Sequence, residues 1–370
     1  MQIKTIQTSD KKEVNRFIRF PFELYKGNPY WVPPLQGEME SVMNRQTHPF
    51  YTHSNADFFT VEDNGKTLGR IAVLKNENFC KHHQAEVAFF YYFDCVDDLQ
   101  VSQMLFDAAS EWARSHTATL LMGPKGFLRS AGQGLLVEGF DVLPAMGIPY
   151  NLSYYARLIE AAGFEKETDH VSGYLNHHLT PKLHQAADRV LARGQFSIKK
   201  FNSRKDMISM VPIVDYVHKK AFENNPGFYP STPEEFDLIA KNIIAIADPR
   251  MIKIIMHNGD VAGFVVAYRN INQAIQKTKG RLYPFGWMTL LNAKRTAKTA
   301  DLNGLGLLPE YQGLGGNVLL YSEVEKVLAS SGMVSGEIVQ VDERNFRSRS
   351  DMEFMEVIWN KRHRTYKKSV

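Results

Sequence analysis

Two cysteines, Cys80 and Cys95, are all that 370 residues contain. No disulfide framework can hold such a fold, and no pair of Cys-x-x-Cys units is there to bind zinc. Nowhere do about 20 apolar residues run together, as a membrane-spanning helix requires. The first ten residues, Met1 to Asp10, lack the apolar run of a signal peptide, so the expected compartment is the cytoplasm. His-Glu-x-x-His and comparable ligand spacings are missing. The adjacent pairs His82-His83 and His177-His178 would diverge on a strand, so no metal is expected. There is no Gly-x-Ser-x-Gly elbow, which argues against a serine hydrolase. Charge of one sign is also scarce: 44 basic residues face 40 acidic ones, a net +4. Over this length that is too mild to argue for nucleic acid.

What is present is ordinary globular material, 44% hydrophobic and 23% charged. The length is about two and a half times a domain of roughly 150 residues, so two domains are the first expectation. Asp57 to Glu62 and Thr67 to Val73 flank Asn64-Gly65, a strong hairpin signal because both turn residues tolerate positive φ. The design returns with Met251 to His257 and Val261 to Ala267 around Asn258-Gly259. Gly65 and Gly259 stand 194 residues apart, and so do Gly69 and Gly263.

Each hairpin leads into a strand, a helix and another strand. In the first half these are Ala85 to Tyr92, Val101 to Arg114 and Thr119 to Met122, the helix showing Leu105, Ala109 and Trp112 on one face. In the second they are Asp301 to Leu308, Asn317 to Ser330 and Glu337 to Val341. Both halves close with a helix and a strand: Tyr154 to Ala162 with His170 to Leu175, and Asn345 to Met355 with Arg362 to Lys368. The repetition predicts a duplicated domain, 1–190 and 195–370, joined by a helical connector that ends at Gly194.

The informative loop is Pro309-Glu310-Tyr311-Gln312-Gly313-Leu314-Gly315-Gly316-Asn317, between a strand and a helix. Glycines let an anion approach the backbone closely, and the first amides of a helix lack partners of their own. Such an arrangement suits a phosphate. It is not a P-loop, since Gly315-Gly316-Asn317 stands where Gly-Lys-Ser/Thr is needed, and Val318 replaces the third glycine of a dinucleotide fingerprint.

The run Gln312 to Asn317 resembles the Gln/Arg-x-x-Gly-x-Gly/Ala loop of the GNAT superfamily of acyl-CoA N-acyltransferases. The order of elements is also that of the GNAT fold. Tyr25 to Pro34, with Trp31-Val32-Pro33-Pro34, and Gly123-Pro124, Glu138 to Asp141 and Pro149 to Asn151 are similar to a group of bacterial GNAT-like proteins. The resemblance implies an α/β fold, of α+β mixed-sheet type: two tandem GNAT-like domains, each a mostly antiparallel mixed sheet flanked by helices. It implies acetyl-CoA or another acyl-CoA as co-substrate, bound by Leu307 and Leu308 and by Gln312, Gly313, Leu314, Gly315, Gly316 and Asn317. Asn345 stands where many GNATs contact the pantetheine arm. An amine acceptor, small molecule or peptide, would attack the thioester directly, with the protein a monomer or homodimer. Asp301 and Glu310 are the candidate bases, and Tyr366 or Tyr321 the candidate acid.

The chain also departs from the pattern. Asn317 replaces the last Gly/Ala of the loop, and Met352 stands where many GNATs carry an acidic tyrosine. The first half has Asp94 to Gln100 at the corresponding turn, with three carboxylates and no glycine, which repels a pyrophosphate. Acyl-CoA is therefore expected on the second half alone, with the first shaping the acceptor side. The competing reading is a non-catalytic protein that binds or senses CoA. Between Tyr268 and Thr299, basic residues surround Tyr283 to Met288; this insertion is either a flap over the acceptor site or an excursion packed on the other half. Trp31 is expected to anchor the N-terminal segment.

Overall fold

The computed structural model describes residues 1–176, 181–201 and 203–370; the His177-His178 pair lies outside the described residues. Both Asn-Gly turns form as read, with φ of 48° and 77° at Asn64 and Gly65 and of 50° and 97° at Asn258 and Gly259. The strands are β1 (Gln2–Thr5), β2 (Asn55–Asp63), β3 (Lys66–Lys75), β4 (Val87–Cys95), β5 (Leu120–Gly123), β6 (Leu135–Glu138) and β7 (Glu165–Asn176) in the first half. In the second they are β8 (Phe196–Lys199), β9 (Ile252–His257), β10 (Asp260–Arg269), β11 (Thr299–Leu307), β12 (Ser335–Asp342) and β13 (Ile358–Ser369). The duplication extends to irregularities: each hairpin slips register beside its turn, between Val61 and Glu62 in one and between Val261 and Gly263 in the other.

All these strands join one sheet in the order β1-β2-β3-β4-β5-β13-β7-β12-β11-β10-β9-β8, with β6 alongside β13. Each half contains one parallel pair, β4–β5 and β11–β12, among antiparallel neighbours, which is the mostly antiparallel mixed sheet expected. The outer neighbour of each pair comes from the other half. β13 lies against β5, β7 lies against β12, and β7 and β13 pair with each other. The closing strands therefore change places, and the halves interlock through backbone hydrogen bonds.

Side chains tighten the seam. Asp169 on β7 is buried and accepts from Arg364 Nε (2.8 Å) and Arg362 Nη1 (3.3 Å) on β13, with Lys166 Nζ at 3.0 Å. These cations hold its carboxyl down at about 2 against the pull of burial. His170 and His363 pair across the same seam, and burial lowers each to about 4, so both stay neutral at physiological pH.

Helices cover both faces. The helix Leu99–Ser115 packs Val101, Leu105, Ala109 and Trp112 on the first half. Its counterpart Gly316–Ser330 packs Leu319, Leu320, Val324 and Leu328 on the second, beside the connector helix Pro181–Ala192. On the opposite face of the second half lie helices Val211–Phe222 and Pro233–Ile246. Trp31 stacks on Tyr25 at 5.0 Å and meets Phe22 edge-on, anchoring the Trp-Val-Pro-Pro segment to the first core.

Candidate active site

β11 and β12 run together for four residues, from Thr299 and Ser335 to Leu302 and Ile338, and then part. Two local breaks open the gap. Along β10, Val266 faces Gly304 while Ala267 faces Leu302, so Asn303 bulges out of β11. On β12, Gln340 takes φ 48° and pairing with β7 lapses between Ile338 and Val341.

A cavity of about 510 Å³ runs through this gap. Alternation along β10 puts Val265 in the core of the 316–330 helix and Phe264 in that of the 211–222 helix, on opposite faces. The cavity is lined from both, by Tyr321 and Met352 on one side and Val214, Phe222, Phe236 and Ile239 on the other. Its walls are mainly apolar. Its roof comes from the first half, where the chain after β5 brings in Lys125, Arg129 and Gln133.

The few polar groups are placed by their partners. Arg129 Nη1 donates to His218 Nδ1 at 2.9 Å, which leaves the His218 proton on Nε2. Burial, then the Arg129 charge, lowers His218 to about 3, and its ring lies stacked on Phe222 at 4.5 Å. Gln133 Nε2 lies 2.8 Å from His170 Nε2. Lys125 Nζ sits over the Phe79 and Phe89 rings, at 4.6 and 5.4 Å, and donates to the Gly227 carbonyl at 3.0 Å. Burial, with the Arg344 charge behind it, brings the Lys125 ammonium down to about 8.

The glycine loop stands at the far end of β11. Gly313 and Gly315 take φ of 77° and 91°, and the helix begins at Gly316. Gln312 is fixed at both ends, its Nε2 donating to the Leu307 carbonyl (3.1 Å) and its Oε1 accepting from Arg347 (2.7 Å). Asn317 Nδ2 donates to Asp351 at 2.8 Å. No side chain caps the helix at Gly315, and among the described residues the N–H groups of Gly313 to Val318 have no backbone or side-chain acceptor. At the matching turn of the first half, Asp98 caps the helix, its Oδ1 accepting from Gln100 (2.8 Å) and Val101 (3.2 Å). One turn is filled by its own carboxylate; the other is open to an anion. Asp98→Ala is expected to cost about 1 kcal/mol through the lost cap, lowering the melting temperature in a circular-dichroism scan. Its response to CoA should match that of the unaltered protein.

The residues singled out in the sequence fall into three places. Gln312 to Asn317 form the open turn. Leu307 and Leu308 are buried beneath it, the Leu308 amide already donating to Ala262 (2.9 Å). Asn345 lines the cavity and caps the following helix by accepting from Ser348 N–H (3.1 Å). The candidate acid and bases are not gathered there. Asp301 is fully buried outside the cavity lining, accepting from Met146 N–H (2.8 Å) and Asn270 (3.0 Å), and burial beside Glu337 raises it to about 7. Glu310 is exposed in the turn after β11. Tyr366, carried by β13 into the first half, donates to Glu160 at 3.0 Å within that half's core. Tyr321 does line the cavity. Lys125, Arg129, Gln133 and His218 were not foreseen; the one pointer was Gly123-Pro124, which starts the segment carrying three of them.

Among the described residues there is no cluster of three His, Cys, Asp or Glu able to hold a metal, and no helix long and apolar enough to cross a membrane. No family model matches the sequence. The chain is 29% identical over 308 residues to protein YghO of Escherichia coli K12, covering 82% of this chain and 78% of that protein. It is 27% identical over 321 residues to a bacterial ceramide synthase of Caulobacter vibrioides, covering 84% and 82%. Among solved structures, a tandem GNAT protein from the clavulanic acid biosynthesis pathway superposes with a TM-score of 0.57 at 14% identity, covering 100% of this chain and 98% of its own. A GCN5-related N-acetyltransferase from Sphaerobacter thermophilus gives 0.52 at 14% identity, covering 100% and 95%. The shared parallel pair, the recurring hairpins and these superpositions agree: the chain carries the GNAT fold twice, in tandem.

Proposed function

We propose that the second half is an acyl-CoA-dependent N-acyltransferase that takes a long acyl group. The observation that carries this reading is the parting of β11 and β12, which opens a mainly apolar cavity of about 510 Å³ in the half that also carries the uncapped 312–317 turn. Amides of Gly313 to Asn317 would hold the diphosphate, with Arg347 beside them. Asn345, at the cavity wall, would meet the pantetheine arm. The apolar lining suits a fatty acyl chain better than an acetyl group. The relationship to a ceramide synthase points the same way, since a ceramide is an amide of a fatty acyl group.

In such a reaction the amine nitrogen attacks the thioester carbon, the C–S bond breaks, and a proton passes from nitrogen to the leaving thiolate. Asp301, Glu310 and Tyr366 lie off the cavity lining, so Lys125 is our candidate for receiving the amine proton. It faces the cavity, and its value of about 8 leaves a usable neutral fraction near physiological pH. Turnover should then rise roughly tenfold per pH unit below about 8 and level off above it. A flat profile from weakly acid to weakly alkaline pH removes Lys125 from that role.

A thermal-shift titration with CoA, acetyl-CoA and palmitoyl-CoA tests binding, and thiol release with a panel of amines, long-chain bases included, tests turnover. Stabilisation by palmitoyl-CoA with no thiol release from any amine favours the second reading, a CoA-binding protein without turnover. That reading draws on the position of Asp301, Glu310 and Tyr366 off the cavity lining, which leaves Tyr321 as the one sequence-selected acid–base candidate there.

A further inference from the structure

From Val261 to Ala300 the chain contains no acidic residue, but seven basic ones. One of the seven, Arg269, is buried at the end of β10. The other six lie in the 270–298 insertion between β10 and β11, built as two helices, Asn272–Thr278 and Gly286–Thr296. It does not line the 510 Å³ cavity, so it is no flap over that opening. Instead it is seated on the first half. Gln276 Nε2 donates to the carbonyls of Pro29 (3.0 Å) and Trp31 (2.9 Å), and Gln36 N–H donates to Gly280 (2.8 Å). A Cβ on Gly280 would come within 2.2 Å of the Pro34 carbonyl, so the fit is close. The inner face is small: Ile275 and Leu290 are buried with Val32, Leu35 and Ile246.

The outer face is neither polar nor covered. Tyr283 is 79% exposed and Phe285 72%, and Trp287, Met288 and Leu291 continue the patch. Contiguous exposed aromatics of this size are unusual on a solvated helix and mark an interaction surface. The same insertion carries Lys277, Lys279, Arg281 and Arg295, all exposed and without a carboxylate partner among the described residues; the first three also edge a cleft against the 15–40 segment. An exposed aromatic and aliphatic tip, on a firmly seated element that also carries exposed unpaired cations and no acidic residue, is complementary to an anionic lipid surface: apolar groups enter the acyl boundary while the cations meet phosphates. A protein partner would need a matching acidic rim, and a second copy of this chain would bring like charges together.

We propose that the 270–298 insertion docks the protein on anionic membranes. The site adjoins the cavity, since Ile243 and Ile244 line it while the next residues, Ala245 and Ile246, contact the insertion through Lys294 Nζ and the buried Leu290 cluster. The docking itself does not depend on the acyltransfer reading, and neither does its test.

The full chain is sedimented with vesicles of phosphatidylcholine alone and of phosphatidylcholine with an equal part of phosphatidylglycerol. Binding is expected on the mixed vesicles only, weakening as salt is raised. The triple change Lys277→Glu, Lys279→Glu and Arg281→Glu should weaken it by roughly a hundredfold. The control Lys11→Glu, Lys12→Glu and Lys66→Glu, equal in net charge but remote, should change it little. Phe285→Ser with Trp287→Ser should weaken binding with little loss of melting temperature, because Phe285 is 72% exposed and Trp287 47%. Equal losses in the control, absence of binding by the unaltered chain, or a dimer that the serine variant converts to monomer would each overturn the proposal; the last makes the patch a contact between copies.

Discussion

Leu314→Glu should weaken CoA binding by roughly thirtyfold while leaving the protein as stable as before, or slightly more so. Leu314 is exposed, at the centre of the open turn, between the glycines at positive φ. A carboxylate there stands within several ångströms of any diphosphate held by the 313–318 amides, in partly solvated surroundings. Repulsion from two phosphate charges at such range comes to about 2 kcal/mol, hence the factor. The same charge sits at the positive end of the 316–330 helix, where it stabilises by about 0.3–1 kcal/mol. Opposite signs for affinity and stability separate loss of a ligand contact from damage to the fold. Gly315→Glu would not separate them: Gly315 has φ 91°, and an added Cβ would lie 2.6 Å from Val190 Cγ2. The measurement is a calorimetric titration with CoA beside a thermal melt. Undiminished affinity would mean that the turn does not hold the diphosphate.

Much of the fold is legible in the sequence where the cause is local. Asn64-Gly65 and Asn258-Gly259 form the hairpins because those residue pairs accept the conformation that the turn needs. The helices at Leu99–Ser115 and Gly316–Ser330 follow from their apolar periodicity, and Gly194, at φ 73°, does end the connector. The glycine turn is legible for the same reason, and so are the carboxylates of its counterpart, although that Asp98 caps the helix there is seen only in the structure. What local pattern does not carry is which strand lies beside which. β7 and β13 each carry the pattern of a closing strand, and nothing in either says that it completes the other half's sheet. Tyr366 shows the consequence. Assigned by sequence to the second half, its hydroxyl is carried by β13 to Glu160 in the first. Asp301 is misplaced for a related reason, since the first-half segment that buries it, with Met146 N–H, comes from 155 residues earlier in the chain. Lys125, Arg129 and Gln133 reach the cavity by the same interlocking, which is why reading each half separately leaves them out.

Ile239→Trp is expected to shorten the acyl chain that the protein accepts. Ile239 is buried on the 233–246 helix and lines the cavity opposite the strands of the gap, away from the glycine turn. An indole there fills space into which the end of a long chain would otherwise extend, and it leaves the turn untouched. Burying each methylene contributes about 0.8 kcal/mol, so displacing four of them removes about 3 kcal/mol, or roughly a 200-fold loss in kcat/KM for a palmitoyl donor. A donor short enough to end before position 239 should lose little, and acetyl-CoA nothing. The sign of the selectivity distinguishes this from general damage: overpacking a core commonly costs about 1–3 kcal/mol of stability whatever the substrate, which would lower turnover of all donors together. Comparing thiol release from acetyl-, octanoyl- and palmitoyl-CoA in both proteins decides it. Equal losses along the series, or none, would mean that the acyl chain lies somewhere other than between the 233–246 helix and the parted strands.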